Sequence, residues 1–447
     1  MNQAFIEYLT VFRSRLGAVN IVLGLTGLSH LPEETLLRKT RQVLDERISL
    51  RLSDRTNESI FAYLKDKGLV PDMSNLKDRG LVFDGPNKGR YSGLGLSKQE
   101  SDWGATRKRE GSRSTEDLDD FPVFQTDLWM ADSRVRSTIG VPTPDNAKEI
   151  IDLTYQLRLL SRGKVTWTSA GYLIHSLRSY QWNKSCSADY ENPFLFGIDA
   201  VALLRQVIEC DGYLIRELLR ALCAKKLQSD SSFVTRDDIA AEFADIVSNA
   251  VEASRGHFPV TTVYKAMQFR KLIDKTAKKH SGQSRGPGVL EHRVSPRLEW
   301  LVDFGYLSKE GLSRNGFTYR VEPAATSLLD DLDRFGGEAH WAESVAVSQW
   351  ISNPIWEDLR SKVQAEGRIS VFARAYRLLQ KPIGPSPLND VAFLSALLSA
   401  SARDYSEMEK EIVSFAQKTD GVTLSGGRTQ RGPQNIYISE KILRNAS

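Results

Sequence analysis

The chain has 447 residues, enough for roughly three domains at about 150 residues each, every one able to bury a core of its own. With 41% apolar and 26% charged residues it has the composition of a folded globular protein, which excludes wholesale disorder. A formal net charge of +4 is too small to name a partner, so the distribution of charge along the chain has to carry that part of the reading.

In chain order, residues 1–96 are expected to form an N-terminal helical or winged-helix-like domain. Near its start, "LGAVNIVLGLTGL" is glycine-broken and too short to span a bilayer, and no small-residue cleavage site follows a basic start. The chain is therefore read as cytoplasmic, without a membrane partner. Further on, residues 59–94 carry "KGL" and "RGL" helix stops followed by a glycine-rich turn, a loose candidate wing. Residues 97–120 are polar and pass from Arg107, Lys108 and Arg109 to Glu116, Asp117, Asp119 and Asp120. They are expected to be a flexible linker, with a basic arm on DNA phosphates as the alternative. A second winged-helix-like lobe plus helices is expected over 121–230. There, Ile150, Leu153, Leu157 and Leu160 recur at helical spacing, and the chain passes through Arg162 and Gly163 into the short strand "KVTWT". "ENPFLFGIDAVALLRQVIECDGYLIRELLRALCAKK" then reads as an apolar helix, a glycine-centred break and a second helix.

A basic winged-helix domain is expected over 231–345. Between Arg255 and Glu299 ten Lys or Arg stand against three acids, whereas the following "LLDDLDRF" carries Asp330, Asp331 and Asp333. Val294, Leu298, Leu301 and Phe304 form an apolar stripe, with Arg293 and Arg297 one turn apart on a neighbouring one. Ser295 and Pro296 suit a helix start, although a start two or three residues earlier is also open. Gly305 suits the helix stop. "YLSK" and "FTYRV" alternate as strands, with "EGLSRNG" as the turn between them. A helix running into a hairpin is the back half of a winged helix. In that fold the helix enters the major groove and the wing tip lies along phosphates, which nominates His292, Arg293, Arg297 and Arg314. The loop holding Lys278, Lys279 and Arg285 lies in the same basic stretch and is nominated with them. The C-terminal winged-helix domain is expected over 346–447. Three helices, "SVFARAYRLL", "LNDVAFLSALLSA" and "DYSEMEKEIVSFAQKTDG", precede the hairpin "VTLSGGRTQRGPQNIYI" with Arg428 and Arg431 at its tip.

The order of a "TWTSAGYL" wing, the Asn-Pro-led apolar helices and the "LVDFGYLSKEG" wing resembles the recognition half of AlwI-like and FokI-like type IIS restriction endonucleases, over about residues 140–335. The resemblance implies DNA recognition. It does not extend to cleavage, because no E-x-K-like or E-x-T-like metal site follows the recognition lobes. Other enzyme signatures are missing as well. The six histidines make no H-x-x-H pair, and no phosphate-binding glycine loop or G-x-S-x-G elbow is present. Cys186, Cys210 and Cys223 form no C-x-x-C pair and are read as reduced core thiols, and the acidic runs are read as solvated. The tryptophans Trp167, Trp300, Trp341, Trp350 and Trp356 are read as core.

The sequence thus leads to a mainly α, α+β protein of several winged-helix or helix-turn-helix lobes with short hairpin wings. It is expected to bind double-stranded DNA without a cofactor or metal and not to be an enzyme itself. The chemistry is expected on a partner subunit, a nuclease or an ATPase, in a restriction, antiphage-defence or mobile-element complex. Two alternatives stay open: a winged-helix protein assembly scaffold, and a metal-dependent nuclease whose site is dispersed along the chain.

Overall fold

The computed structural model describes residue 6 and residues 16–28, 30–45, 146–162, 165–182, 198–228, 233–255, 257, 266–275, 288–313, 316–361, 363, 367–380, 385–399, 403–426 and 434–445. The fold is mainly helical, with small antiparallel sheets of two and three strands. The candidate wing at 59–94 and the expected linker at 97–120 lie outside the described residues.

A 3-10 turn, Leu16–Ala18, leads into α1 (Val19–Leu25), followed by α2 (Glu33–Asp45). Both helices pack against α3 (Ala147–Gln156), so residues from the expected 1–96 unit and from the lobe after 121 share one core. The stripe Ile150, Leu153, Leu157 and Leu160 is buried there. A hairpin of β1 (Leu160–Ser161) and β2 (Thr166–Trp167) follows, with Leu160 opposite Trp167. The Trp167 indole N–H lies 3.1 Å from the Leu23 carbonyl and 2.9 Å from Thr26 Oγ1, which ties the hairpin back to α1. Helix α4 (Ser169–Trp182) leads onward.

Helix α5 (Ile198–Gln228) runs unbroken for 31 residues, roughly 46 Å at the usual helical rise. The break expected at its central glycine does not occur. Gly212 is instead a contact point, because a Cβ there would collide with the Trp341 side chain. Residues 198–208 are buried on every face, as in a core helix. Next come β3 (Phe233–Thr235) and α6 (Arg236–Ser254), which starts at a capping box. Thr235 Oγ1 accepts from the Asp238 N–H, and the Asp238 carboxylate accepts from the Thr235 N–H.

Helix α7 (266–275) and α8 (Gly288–Asp303) lead into the wing, β4 (Leu307–Ser313) and β5 (Gly316–Val321). The three-stranded sheet has the order β3-β5-β4. Gly305 adopts φ +74° and ends α8 as expected, but the helix starts at Gly288 and carries Pro296 inside it, well before the expected cap. The hairpin is also tighter than "EGLSRNG" suggests: only residues 314–315 separate the strands, and an irregularity between Lys309 and Leu312 takes up the glycine.

Helices α9 (Pro323–Arg334) and α10 (Trp341–Ser352) connect to the last unit and pack on α5. That unit contains α11 (Arg368–Leu379), β6 (Ser386–Pro387), α12 (Leu388–Leu398), α13 (Tyr405–Lys418), β7 (Val422–Ser425) and β8 (Asn435–Ile438), and α14 (Glu440–Asn445) closes the described chain. Its sheet order is β6-β8-β7. Both the middle and the C-terminal unit therefore follow one plan. A first helix and a short strand are followed by further helices and a two-stranded wing, and the short strand pairs with the last strand of the wing. The plan is that of a winged helix, with α7 as an additional element in the middle unit.

A buried arginine joins the two units. Arg205 on α5 donates to Glu343 on α10 at 2.8 Å and to Asp390 on α12 at 2.7 Å, and its guanidinium lies 5.0 Å from the centre of the Phe393 ring. Burial opposes the charged form of Glu343, yet the Arg205 guanidinium holds its carboxyl below the usual range.

Candidate nucleic-acid interface

In a winged helix, the third helix is the one that can enter a groove, so its surroundings decide what each unit can do. In the middle unit that helix is α8. Val294, Leu298, Leu301 and Phe304 face the core as expected, but Ser295, Arg297, Glu299 and Trp300 are buried as well. Helix α6, strand β4 and the Leu16–Ala18 turn pack around it, Glu299 accepts from the Tyr319 hydroxyl at 2.8 Å, and Asp303 accepts from the Leu16 N–H at 2.8 Å.

Arg297 was nominated for DNA, and its position rules that out. Its side chain is 0% exposed, and its Nε lies 2.6 Å from Asp211 Oδ2 on α5. Its Nη2 donates to Asp211 Oδ1 at 3.2 Å and to the Ile6 carbonyl at 2.9 Å, and its Nη1 to the Arg293 carbonyl at 2.8 Å. The Ile6 N–H donates to Asp211 Oδ1 at 2.9 Å, so the backbone near the N-terminus completes the pair on both sides. Burial pushes the Asp211 carboxyl up, against the opposing pull of Arg297. A guanidinium in this setting is a core group and cannot reach a phosphate. Its Asp211 partner is 86 residues away in sequence, which is why spacing within one helix misplaced it.

Of the other nominated residues, only Arg293 has a described side chain. Arg293 is half-buried, with its guanidinium 5.4 Å from the centre of the Phe269 ring on α7. His292 lies on α8. Lys278, Lys279, Arg285, Arg314, Arg428 and Arg431 lie outside the described residues.

The third helix of the C-terminal unit, α13, is set up differently. Asp404 caps it by accepting from the Glu407 N–H at 2.7 Å. Tyr405, Met408 and Ile412 anchor it to the core at helical spacing. On the outward side, Glu407, Lys410 and Gln417 are exposed and Ser414 is half-buried between them, and Ser406 and Lys418 are exposed beside this stripe. Neither Lys410 nor Lys418 has an ion-pair or hydrogen-bond partner among the described residues. Two of the helix's acids are engaged at its flanks, with Glu411 held by Arg403 and Arg368, and Glu409 lying 3.8 Å from His340. The adjoining β7–β8 hairpin pairs Ser425 with Asn435 at its far end, and the chain between them carries Arg428 and Arg431. The expected contacts of this unit lie only on its hairpin, whereas the polar positions 407, 410, 414 and 417, opposite the apolar 405, 408 and 412, are visible in the sequence as a second exposed face.

The acidic helix α9 is not simply a solvated face. Asp331 is buried and accepts from Gln349 Nε2 at 2.6 Å, and the Gln349 amide oxygen accepts from the Tyr306 hydroxyl at 3.2 Å. Asp333 pairs with Arg220 at 2.7 Å. Cys210 and Cys223 are free thiols, and burial pushes the Cys210 thiol up to about 12, which makes it unreactive. Trp300, Trp350 and Trp356 are buried, and Trp167 and Trp341 pack against the core. Among the described residues no group of three His, Cys, Asp or Glu could hold a metal ion, and no helix is long and apolar enough to cross a membrane. Comparison with known proteins returns no matching family model, no matching curated protein and no matching solved structure, so the likeness to the endonuclease recognition half rests on sequence texture alone.

Proposed function

We propose that this protein binds double-stranded DNA through its C-terminal winged helix, with α13 in the major groove and the β7–β8 wing along the phosphates. The observation that carries the reading is the open polar stripe Glu407, Lys410, Ser414 and Gln417, with Lys418 beside it, next to a wing whose tip sequence holds Arg428 and Arg431. Lysine and glutamine are side chains suited to guanine and adenine edges in the major groove, and serine adapts to either. The middle unit, whose α8 is enclosed, serves in this reading as the frame that holds the C-terminal unit through Arg205.

Fluorescence anisotropy of the full chain with duplex DNA over a salt series tests the reading. Salt-sensitive binding is expected, because displaced counterions accompany every phosphate contact. Absence of binding at low salt would overturn it. By analogy alone, the setting remains a restriction, antiphage-defence or mobile-element complex with chemistry on a partner subunit. Nicking of supercoiled plasmid by the pure chain with Mg²⁺, abolished by chelator, would move the chemistry onto this chain.

A second reading, as a protein docking module, draws on Tyr437, which is 49% exposed on the wing, and on Glu407, whose charge opposes phosphate. Of the acidic helix, Asp331 and Asp333 are engaged within the chain, while Asp330 is exposed. A docking module would pass through a DNA column at moderate salt.

A further inference from the structure

In the middle unit the additional helix α7 presents a basic face of its own. Ala266, Phe269 and Ile273 are buried and fix the orientation of the helix. The opposite side carries Lys271 and Lys275, both exposed and one turn apart, with their Cα atoms about 6 Å apart along the axis. Neither lysine has a hydrogen-bond or ion-pair partner among the described residues. Two described acids, Glu252 on α6 and Asp274 on α7, meet other cations. Glu252 on α6 is paired with Arg255 at 3.0 Å and approached by Arg270 at 3.5 Å, and Asp274 lies 3.8 Å from Arg270. Arg255 and Arg270 thus balance Glu252 and Asp274, and among the described residues Lys271 and Lys275 remain a positive pair without a carboxylate partner. Lysines paired with no carboxylate and held by a buried apolar anchor suit an extended polyanion, for which each contributes a point charge without demanding a fixed geometry.

We propose that Lys271 and Lys275 form a phosphate-contact face for the duplex backbone, a sequence-independent grip separate from the reading helix α13. The proposal rests on the DNA-binding reading of the C-terminal unit. It gives the middle unit a contact surface on its additional helix in place of the enclosed α8.

The test is a salt series with a random-sequence duplex, read by anisotropy, for the wild-type chain, Lys271→Ala/Lys275→Ala and Lys271→Arg/Lys275→Arg. The alanine pair is expected to flatten the slope of log affinity against log salt by about 1.8, at about 0.9 for each phosphate no longer neutralised, and the arginine pair to retain it. Both pairs lie on the surface, so thermal melting should match wild type. A slope unchanged in the alanine pair while the wild type binds overturns this proposal and leaves the C-terminal reading standing. A wild type that binds no duplex overturns both.

Discussion

The middle and C-terminal winged helices share an element order and a strand order, yet they pack the third helix in opposite ways. In the middle unit residues 294–301 of α8 are all buried, with α6, β4 and the Leu16–Ala18 turn packed on the helix, and Arg297 faces inward to Asp211. In the C-terminal unit α13 keeps only Tyr405, Met408 and Ile412 fully buried and leaves a polar stripe outside. Topology alone therefore does not nominate a DNA-reading helix. What distinguishes the two is whether another part of the chain already covers the side of the helix away from its own unit's core.

Substitutions sharpen that contrast. The largest effect is expected at Arg297. Arg297→Ala leaves the buried Asp211 carboxyl without its cation, to stay charged at a cost or to take up a proton, and should destabilise the fold by about 3–5 kcal/mol, seen as a lower denaturation midpoint in urea. A midpoint within error of wild type would mean that α8 is not enclosed as described.

Next is Glu343→Gln, which weakens the charge triad around Arg205 while Asp390 still holds the guanidinium. A destabilisation of about 1.5–3 kcal/mol is expected at neutral pH. The sign of the pH dependence follows from the lowered carboxyl. Stability from the Glu343 carboxylate is fully present above the ordinary glutamate range and is lost as pH falls through its depressed value. Melting curves should therefore show a shallower acid decline in Glu343→Gln than in wild type, and parallel declines would contradict the assignment.

Lys410→Ala and Gln417→Ala should leave the urea midpoint unchanged while each weakens binding to a preferred duplex by about 1–3 kcal/mol, the usual scale of a base-edge contact. Equal affinities for variants and wild type, measured in the same titration, would remove α13 from the interface. The smallest effect is expected at Asp404→Ala, where removal of the cap on α13 should cost about 1 kcal/mol of stability, measurable by denaturation.

Much of the local architecture was legible in the sequence because its causes are local. The stop at Gly305 needs only a glycine that tolerates positive φ, the wings need only alternation and turn residues, and the C-terminal helices need only their apolar periods. Strands β3 and β6 were missed because "FVT" and "SP" are too short to show alternation; they become strands by pairing with β5 and β8. The start of α8 was misplaced because Pro296 is tolerated inside a helix whose burial outweighs the missing hydrogen bond. The central glycine of α5 was read as a break because its reason, the approach of Trp341, lies on another helix. The site suffered most from the same limit. A basic helix start looks alike whether its arginine meets solvent or an aspartate far away in the chain, and only packing distinguishes the two.

Selection of bound sequences from a random duplex pool, run in parallel with the wild-type chain and with Lys410→Ala, tests most directly that α13 reads bases. The wild type should enrich a defined sequence, and the variant should relax the preference at one position of it while still folding. Identical enrichment by the two proteins, or none by the wild type, would contradict it.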